Sequence, residues 1–81
     1  MPTLTPHRQK ILQFVAGGLS NREIAAILKI NHQTVKNNLH SIYRIYNVHN
    51  KTEAVMEGIK RGHIDLELAY KYIIARQRTV D

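Results

Sequence analysis

The sequence predicts an all-α fold. Apolar residues recur every three to four positions in five successive segments, the helical period, and no alternating run calls for a strand. Four of the segments are introduced by a residue suited to capping a helix, and glycine or asparagine follows three of them. The architecture expected is four helices, two of them joined by a tight turn, with an additional C-terminal helix.

The first helix is expected to start at Pro6, which loses no hydrogen bond at a first helical position, with Thr5 as its cap. Ile11, Leu12 and Val15 then share one side, Phe14 stands at its edge, and Gly17-Gly18 ends the helix. The second opens with a capping box, Ser20 accepting from the amide of Glu23 while the Glu23 carboxylate returns to the amide of Ser20. Ile24, Ile27 and Leu28 are expected to form its buried stripe, with the small Ala25 beside them. Lys29-Ile30 leaves room only for a tight turn before Asn31, which caps the third helix.

That third helix carries the strongest pattern. At about 100° per residue, Leu39, Ile42 and Tyr46 fall within about 40° of Val35 and make a core stripe. Gln33, Lys36, Asn37, His40 and Arg44 fall about 100–200° away, on a face without an acid. A merely solvated face more often mixes glutamate with lysine for i,i+4 pairing. Tyr43 is expected to rim the core. Asn47 tolerates the left-handed conformation and stops the helix. Thr52 is then expected to cap a fourth helix with Glu53 in its first turn, Val55, Met56 and Ile59 supplying apolar contacts and Gly62 ending it. A fifth segment, residues 65–77, carries a sticky stripe of Leu66, Ala69, Tyr70, Ile73 and Ile74, with Tyr70 and Tyr72 in tail packing or a dimer seam; the last few residues are expected to be unanchored.

Charge points to a partner. Twelve Lys and Arg stand against six Asp and Glu, a net charge of +6 in 81 residues. From Thr5 to Lys51 seven bases (Arg8, Lys10, Arg22, Lys29, Lys36, Arg44, Lys51) meet one acid, Glu23, whereas from His63 onward three bases balance three acids. A polyanion suits such a front half. The residue chemistry on the third helix fits base edges: Lys36 can donate to guanine O6 and N7, Asn37 and Gln33 can pair with adenine N6 and N7, and His40 can donate to a base or phosphate. Arg22, Arg44 and Lys51, at helix ends or edges, suit phosphates, and the helix start at Ser20 offers backbone amides.

Other function classes lose ground. The chain has no cysteine, hence no disulfide or thiolate metal site, which fits a reducing cytosol, and a cytoplasmic protein is expected. His7, His32, His40, His49 and His63 show no i,i+4 pairing and no metal-ligand spacing, so no metal or other cofactor is expected. No glycine-rich phosphate loop or paired carboxylates suggest an enzyme. No run of about 18 apolar residues suggests a membrane span.

Four motifs in order, Leu4-Thr5-Pro6, Gly18-Leu19-Ser20-Asn21-Arg22-Glu23-Ile24-Ala25, Thr34-Val35-Lys36-Asn37 and Lys51-Thr52-Glu53-Ala54-Val55, resemble the LuxR-type (GerE-like) helix-turn-helix domain of bacterial transcription regulators. The resemblance covers roughly Leu4 to Ile64. It implies a four-helix DNA-binding domain, residues 1–64, whose third helix enters the major groove of double-stranded DNA, with Lys36, Asn37 and His40 toward bases and Thr34, Asn21 and Arg22 on phosphates. It also implies a homodimer to which the fourth helix contributes. Dimer candidates are Val55, Met56 and Ile59 there, and Leu66, Tyr70 and Ile73 in the extension, residues 65–81, a dimerisation or packing element. Three positions depart from the family's usual residues: Arg8 replaces the Glu that would complete a box with Thr5, Asn38 replaces a His, and Asn47 a Gly. Two alternatives stand beside the DNA-binding regulator. One is a sigma-factor region 4-like module with RNA polymerase as partner, against which the Lys51-to-Val55 motif argues. The other is a protein-interaction module that uses its tail helix to sequester a full-length regulator.

Overall fold

The computed structural model describes residues 4–78, the side chain of Arg78 excepted. Five helices follow one another: α1 (Pro6–Ala16), α2 (Asn21–Leu28), α3 (His32–Tyr46), α4 (Lys51–Lys60) and α5 (Leu66–Arg78), with no strand among the described residues. The expectation of an unanchored end falls on Thr79–Asp81, outside them.

The helix ends follow one scheme. After each of the first four helices a residue takes a left-handed conformation: Gly18 (φ 86°), Lys29 (φ 57°), Asn47 (φ 58°) and Gly62 (φ 76°). The next amide reaches back five residues, Leu19 N–H to the Phe14 carbonyl at 3.2 Å, Ile30 to Ala25 at 3.0 Å, Val48 to Tyr43 at 2.9 Å and His63 to Gly58 at 2.8 Å. This closure satisfies carbonyls that a helix end leaves without partners. Lys29 is the unexpected one, since a side chain in that conformation is disfavoured. Only Lys29 and Ile30 stand between the last residue of α2 and the cap of α3, so the turn falls on one of them.

The helix starts match expectation in three cases. The Thr5 hydroxyl accepts from Arg8 N–H at 3.2 Å, half of a capping box whose other half Arg8 cannot supply. The box at Ser20 is complete, with Glu23 N–H donating to the Ser20 hydroxyl at 3.1 Å and Ser20 N–H to Glu23 Oε1 at 2.8 Å. Asn31 Oδ1 accepts from Gln33 N–H at 2.7 Å. The cap of α4 is a correction: it is Asn50, not Thr52, and Asn50 Oδ1 accepts from Glu53 N–H at 2.9 Å. Starting there places Glu53 at the third helical position, where its carboxylate takes His49 N–H at 2.9 Å. A start at Thr52 would have left both acceptors without those donors.

The core lies between α3 and the three helices that enclose it. Ile11, Leu12, Ile24, Val35 and Ile42 are fully buried, joined by Leu4, Leu39, Tyr46, Ala54 and Ile64. All four stripe residues of α3 are therefore inside. Ile27 is not: it is 53% exposed. On a helix of eight residues the buried arc is set by Ile24 and Ala25, and Ile27 lies about 110° from the middle of that arc.

Two glycines mark close approaches. A Cβ on Gly58 of α4 would stand 2.8 Å from both Leu12 Cδ2 and Ile64 Cδ1, and one on Gly17 would stand 2.5 Å from Tyr72 Cδ2. So α4 lies directly on α1, and α5 lays Tyr72 over the end of α1, beside Phe14 with ring centroids 5.5 Å apart. The start of α5 is clamped by Gln13, whose Nε2 donates to the Asp65 carbonyl at 2.8 Å and whose Oε1 accepts from Asp65 N–H at 2.7 Å. Near its other end Arg76 Nη1 donates to Glu23 Oε2 at 2.5 Å.

Glu23 consequently serves two elements. Its backbone bond with Ser20 and then the Arg76 guanidinium hold its carboxyl below the ordinary value of 4.5. A lowered folded-state value means this contribution to stability is present above the unfolded value and is lost as pH falls through the folded one. Glu23→Gln keeps a capping-box side chain but removes the charge. Urea melts should show wild type more stable at neutral pH and the two converging in acid. A constant gap across pH would show that the ionised carboxylate is not what matters.

Candidate nucleic-acid interface

The α2–turn–α3 pair presents one helix by burying its other side. Val35, Leu39, Ile42 and Tyr46 fix α3 against the core, so its opposite face stands at a set height and rotation. Tyr46 closes the end of that stripe. Its hydroxyl and His63 Nδ1 are joined by a hydrogen bond of 2.6 Å, the rings stack with centroids 5.9 Å apart, and the Arg61 guanidinium sits 4.8 Å from the ring centre. Burial pushes the Tyr46 hydroxyl up to about 12, so it stays protonated through the ordinary pH range.

On the outward face Gln33, Lys36, Asn37, His40 and Arg44 are all exposed. Gln33 Nε2 donates to Asn37 Oδ1 at 3.1 Å. This i,i+4 bond holds two of the base-contact candidates as one amide pair, leaving Gln33 Oε1 to accept and Asn37 Nδ2 to donate. Asn38 turns back to the backbone, donating to the Thr34 carbonyl at 2.9 Å, and Ser41 does the same toward Asn37 at 3.2 Å. His40 leans on the half-buried Tyr43, ring centroids 6.0 Å apart. The described acids lie elsewhere: Glu23 in α2, Glu53 and Glu57 in α4, and Asp65 and Glu67 at the start of α5. The face of α3 is thus cationic and amide-rich over its whole length.

The phosphate candidates divide. Arg22, Thr34 and Arg44 are exposed on the pair. The Ser20 hydroxyl is engaged in the capping box, so only its backbone surroundings offer donors at that end. Asn21 is half-buried, with an Oδ1 that has no hydrogen-bond partner. Lys51 is the first residue of α4 and, with Ser20, Thr52, Glu23 and Arg76, lines an open cleft of about 450 Å³ where the starts of α2 and α4 meet. Of the dimer candidates, Val55 and Ile59 are half-buried against the core, whereas Met56, Leu66, Tyr70 and Ile73 are exposed.

Sequence reasoning missed Arg76, which joins α5 to α2, and the Gln13–Asp65 clamp. These partners are 52 and 53 positions apart, and nothing local to either residue signals the other. The Gln33–Asn37 bond, by contrast, was open to reading from its i,i+4 spacing.

A capped helix pair whose second helix buries an apolar stripe and exposes an acid-free face of amides and cations is a helix-turn-helix domain of the kind found in transcription regulators. The chain belongs to the luxR family of bacterial regulatory proteins, whose GerE model matches residues 2–57. It is 41% identical over 61 residues to the transcriptional regulatory protein DegU of Brevibacillus brevis, covering 75% of this chain and 26% of that protein. Among solved structures it resembles the response regulator ChrA of a heme-sensing two-component system, with TM-score 0.76 and 38% identity over 79% of this chain and 32% of that one. It likewise resembles the transcription factor GerE, with TM-score 0.77 and 26% identity over 82% of this chain and 98% of that one. The chain spans about a quarter of the length of DegU and of the other curated relatives at its level of similarity. The family is one of transcriptional regulators. Among the described residues no helix is long and apolar enough to cross a membrane, and no group of His, Asp and Glu could hold a metal ion.

Proposed function

We propose that this domain binds double-stranded DNA sequence-specifically, as a cytoplasmic homodimer that regulates transcription, with residues 1–64 as the DNA-binding unit. The observation that carries the reading is the exposed, acid-free face of α3, held in place by a buried stripe along its opposite side. A 15-residue helix is about 22 Å long, and a major groove about 12 Å wide admits it. In this reading Lys36 donates to guanine, the interlocked Gln33–Asn37 pair reads adenine, and His40 donates one step further along the groove. Arg22, Thr34, Arg44, Lys51, Asn21 and the backbone at Ser20 hold phosphates and set the register.

Selecting bound sequences from a random duplex pool tests this directly. The expected product is a two-fold site with half-sites about 10 bp apart, one helical turn. Three phosphate-bound cations per protomer (Arg22, Arg44, Lys51) give a dimer a log–log salt slope of about −5, at about −0.9 per phosphate neutralised. No enriched sequence, or a single asymmetric element bound only with RNA polymerase, would overturn the assignment in favour of a protein-interaction or sigma-like module.

A further inference from the structure

The start of α2 serves two demands that oppose each other. A capping box needs a carboxylate or an amide at the third helical position, and Glu23 supplies a carboxylate, taking Ser20 N–H at 2.8 Å. The same helix start is where the proposed function seats a phosphate, on the backbone at Ser20 and on Asn21 and Arg22. Two anions then compete for one positive helix end. Glu23 is the only acid between Leu4 and Thr52, and its carboxyl is held below the ordinary value, so it is ionised at neutral pH. A phosphate held at Arg22, the adjacent residue, lies within the screening length of about 10 Å at 0.1 M salt.

The counter-charge comes from the far end of the chain. Gln13 clamps the start of α5 at Asp65, and Tyr72 lies over Gly17, where a Cβ would stand 2.5 Å from its ring. Arg76 is four residues beyond Tyr72, hence on the same face of α5, and that face turns it toward α2. Its Nη1 donates to Glu23 Oε2, and both side chains are 46% exposed. Glu23 therefore gives one oxygen to the cap and the other to the guanidinium. Ser20, Glu23, Lys51, Thr52 and Arg76 line one open cleft. With Arg76 in place the cleft holds two cations against one acid. Without it a lone carboxylate would repel a phosphate there and compete with it for Lys51. The family model matches residues 2–57, so Arg76 lies outside the matched span and belongs to the extension.

We propose that Arg76 is a positioning residue for DNA: it neutralises Glu23, so that the carboxylate capping α2 does not repel the phosphate bound at the same helix start. The inference rests on the proposed function and gives the extension a part in it. Arg76 acts through Glu23 and reads no base, so its effect is the same on every sequence and weakens as salt is raised.

Arg76→Ala should weaken binding of the full chain to the selected duplex and to random-sequence duplex by the same factor. That factor is about 5-fold or more at 0.1 M salt, from two like-charge encounters per two-fold site at close to the dielectric of water. The deficit should shrink in higher salt. Arg76→Lys, which keeps the charge, should bind close to wild type. Glu23→Gln keeps a side chain able to cap and removes the charge to be neutralised, so Arg76→Ala made in that background should cost about 2-fold or less. A merely structural brace behaves otherwise, because loss of its second partner does not restore binding. Affinities are read below the melting transition of each variant, with the helical circular dichroism retained. A wild type that binds duplex beside an Arg76→Ala variant that binds equally well overturns the proposal and leaves DNA recognition standing. An equal loss in both backgrounds also overturns it, since Arg76 would then act on DNA or on the fold directly. A wild type that binds no duplex overturns the proposed function itself, and this inference with it.

Discussion

Replacing Lys36 and Asn37 together with alanine is expected to remove sequence preference from DNA binding while leaving the fold and salt-dependent background binding in place. Both side chains are exposed on α3 and neither contributes to the core, so thermal stability should change little. A good base contact discriminates by about 1–3 kcal/mol, and losing two should weaken the selected site about 100-fold or more relative to random duplex. The single variants separate roles. If Lys36 reads guanine, Lys36→Ala relaxes the site at one position. If it grips a phosphate, the loss is uniform across sequences and the salt slope falls by about 1. Asn37→Ala has a second consequence, because it also releases Gln33 from its hydrogen bond. Gln33→Ala and Asn37→Ala should therefore be non-additive at the same base step. Unchanged preference in the double variant would mean that α3 does not lie in the groove by this face.

The parts of the fold legible in the sequence are those that one helix decides by itself. Four turns of α3 gave the phase of its apolar residues enough repeats to assign both faces, and the structure buries Val35, Leu39, Ile42 and Tyr46 accordingly. The complete box at Ser20 and the stops at Gly18, Asn47 and Gly62 were equally local. Short or crowded elements were not. The two turns of α2 do not fix a phase, and Ile27 fell on the outside. Two capping residues lie within three positions at α4, and the choice of Asn50 over Thr52 depended on which start gave Glu53 a donor. The left-handed Lys29 follows from its neighbours rather than from its own preference.

For the interface, composition was legible and arrangement was not. An acid-free face announces itself in the order of residues, but whether Ser20 offers its hydroxyl depended on a cap that occupies it. The position of Lys51 beside Arg76 depended on where α5 returns. Its return is fixed by three contacts spread along the tail, Gln13 to Asp65, Tyr72 over Gly17 and Arg76 to Glu23. The last of these ends on Glu23, whose carboxylate completes the capping box of α2, so the extension braces the helix-turn-helix pair as well as lengthening the chain.

Truncating Ile42 to alanine is expected to remove a large part of this domain's stability. Ile42 is fully buried in the middle of α3, where that helix backs onto α1, α2 and α4. Such truncations lose about 2–5 kcal/mol, the transfer of the removed atoms plus the cavity they leave. Domains of this size hold only about 5–15 kcal/mol in all, with small ones at the low end. A fall in Tm of about 10 °C or more is therefore expected in a calorimetric or dichroism melt. Under the proposed function DNA binds only the folded form, so saturating the variant with its selected duplex should recover part of that loss. Below the transition its affinity should remain close to wild type, since the reading face itself is unaltered. The pattern is the inverse of the Lys36 and Asn37 double variant, which keeps Tm and loses affinity. A Tm within about 2 °C of wild type would show that α3 is not held from behind by this stripe, and with it would go the physical reason its outer face stands ready for the groove.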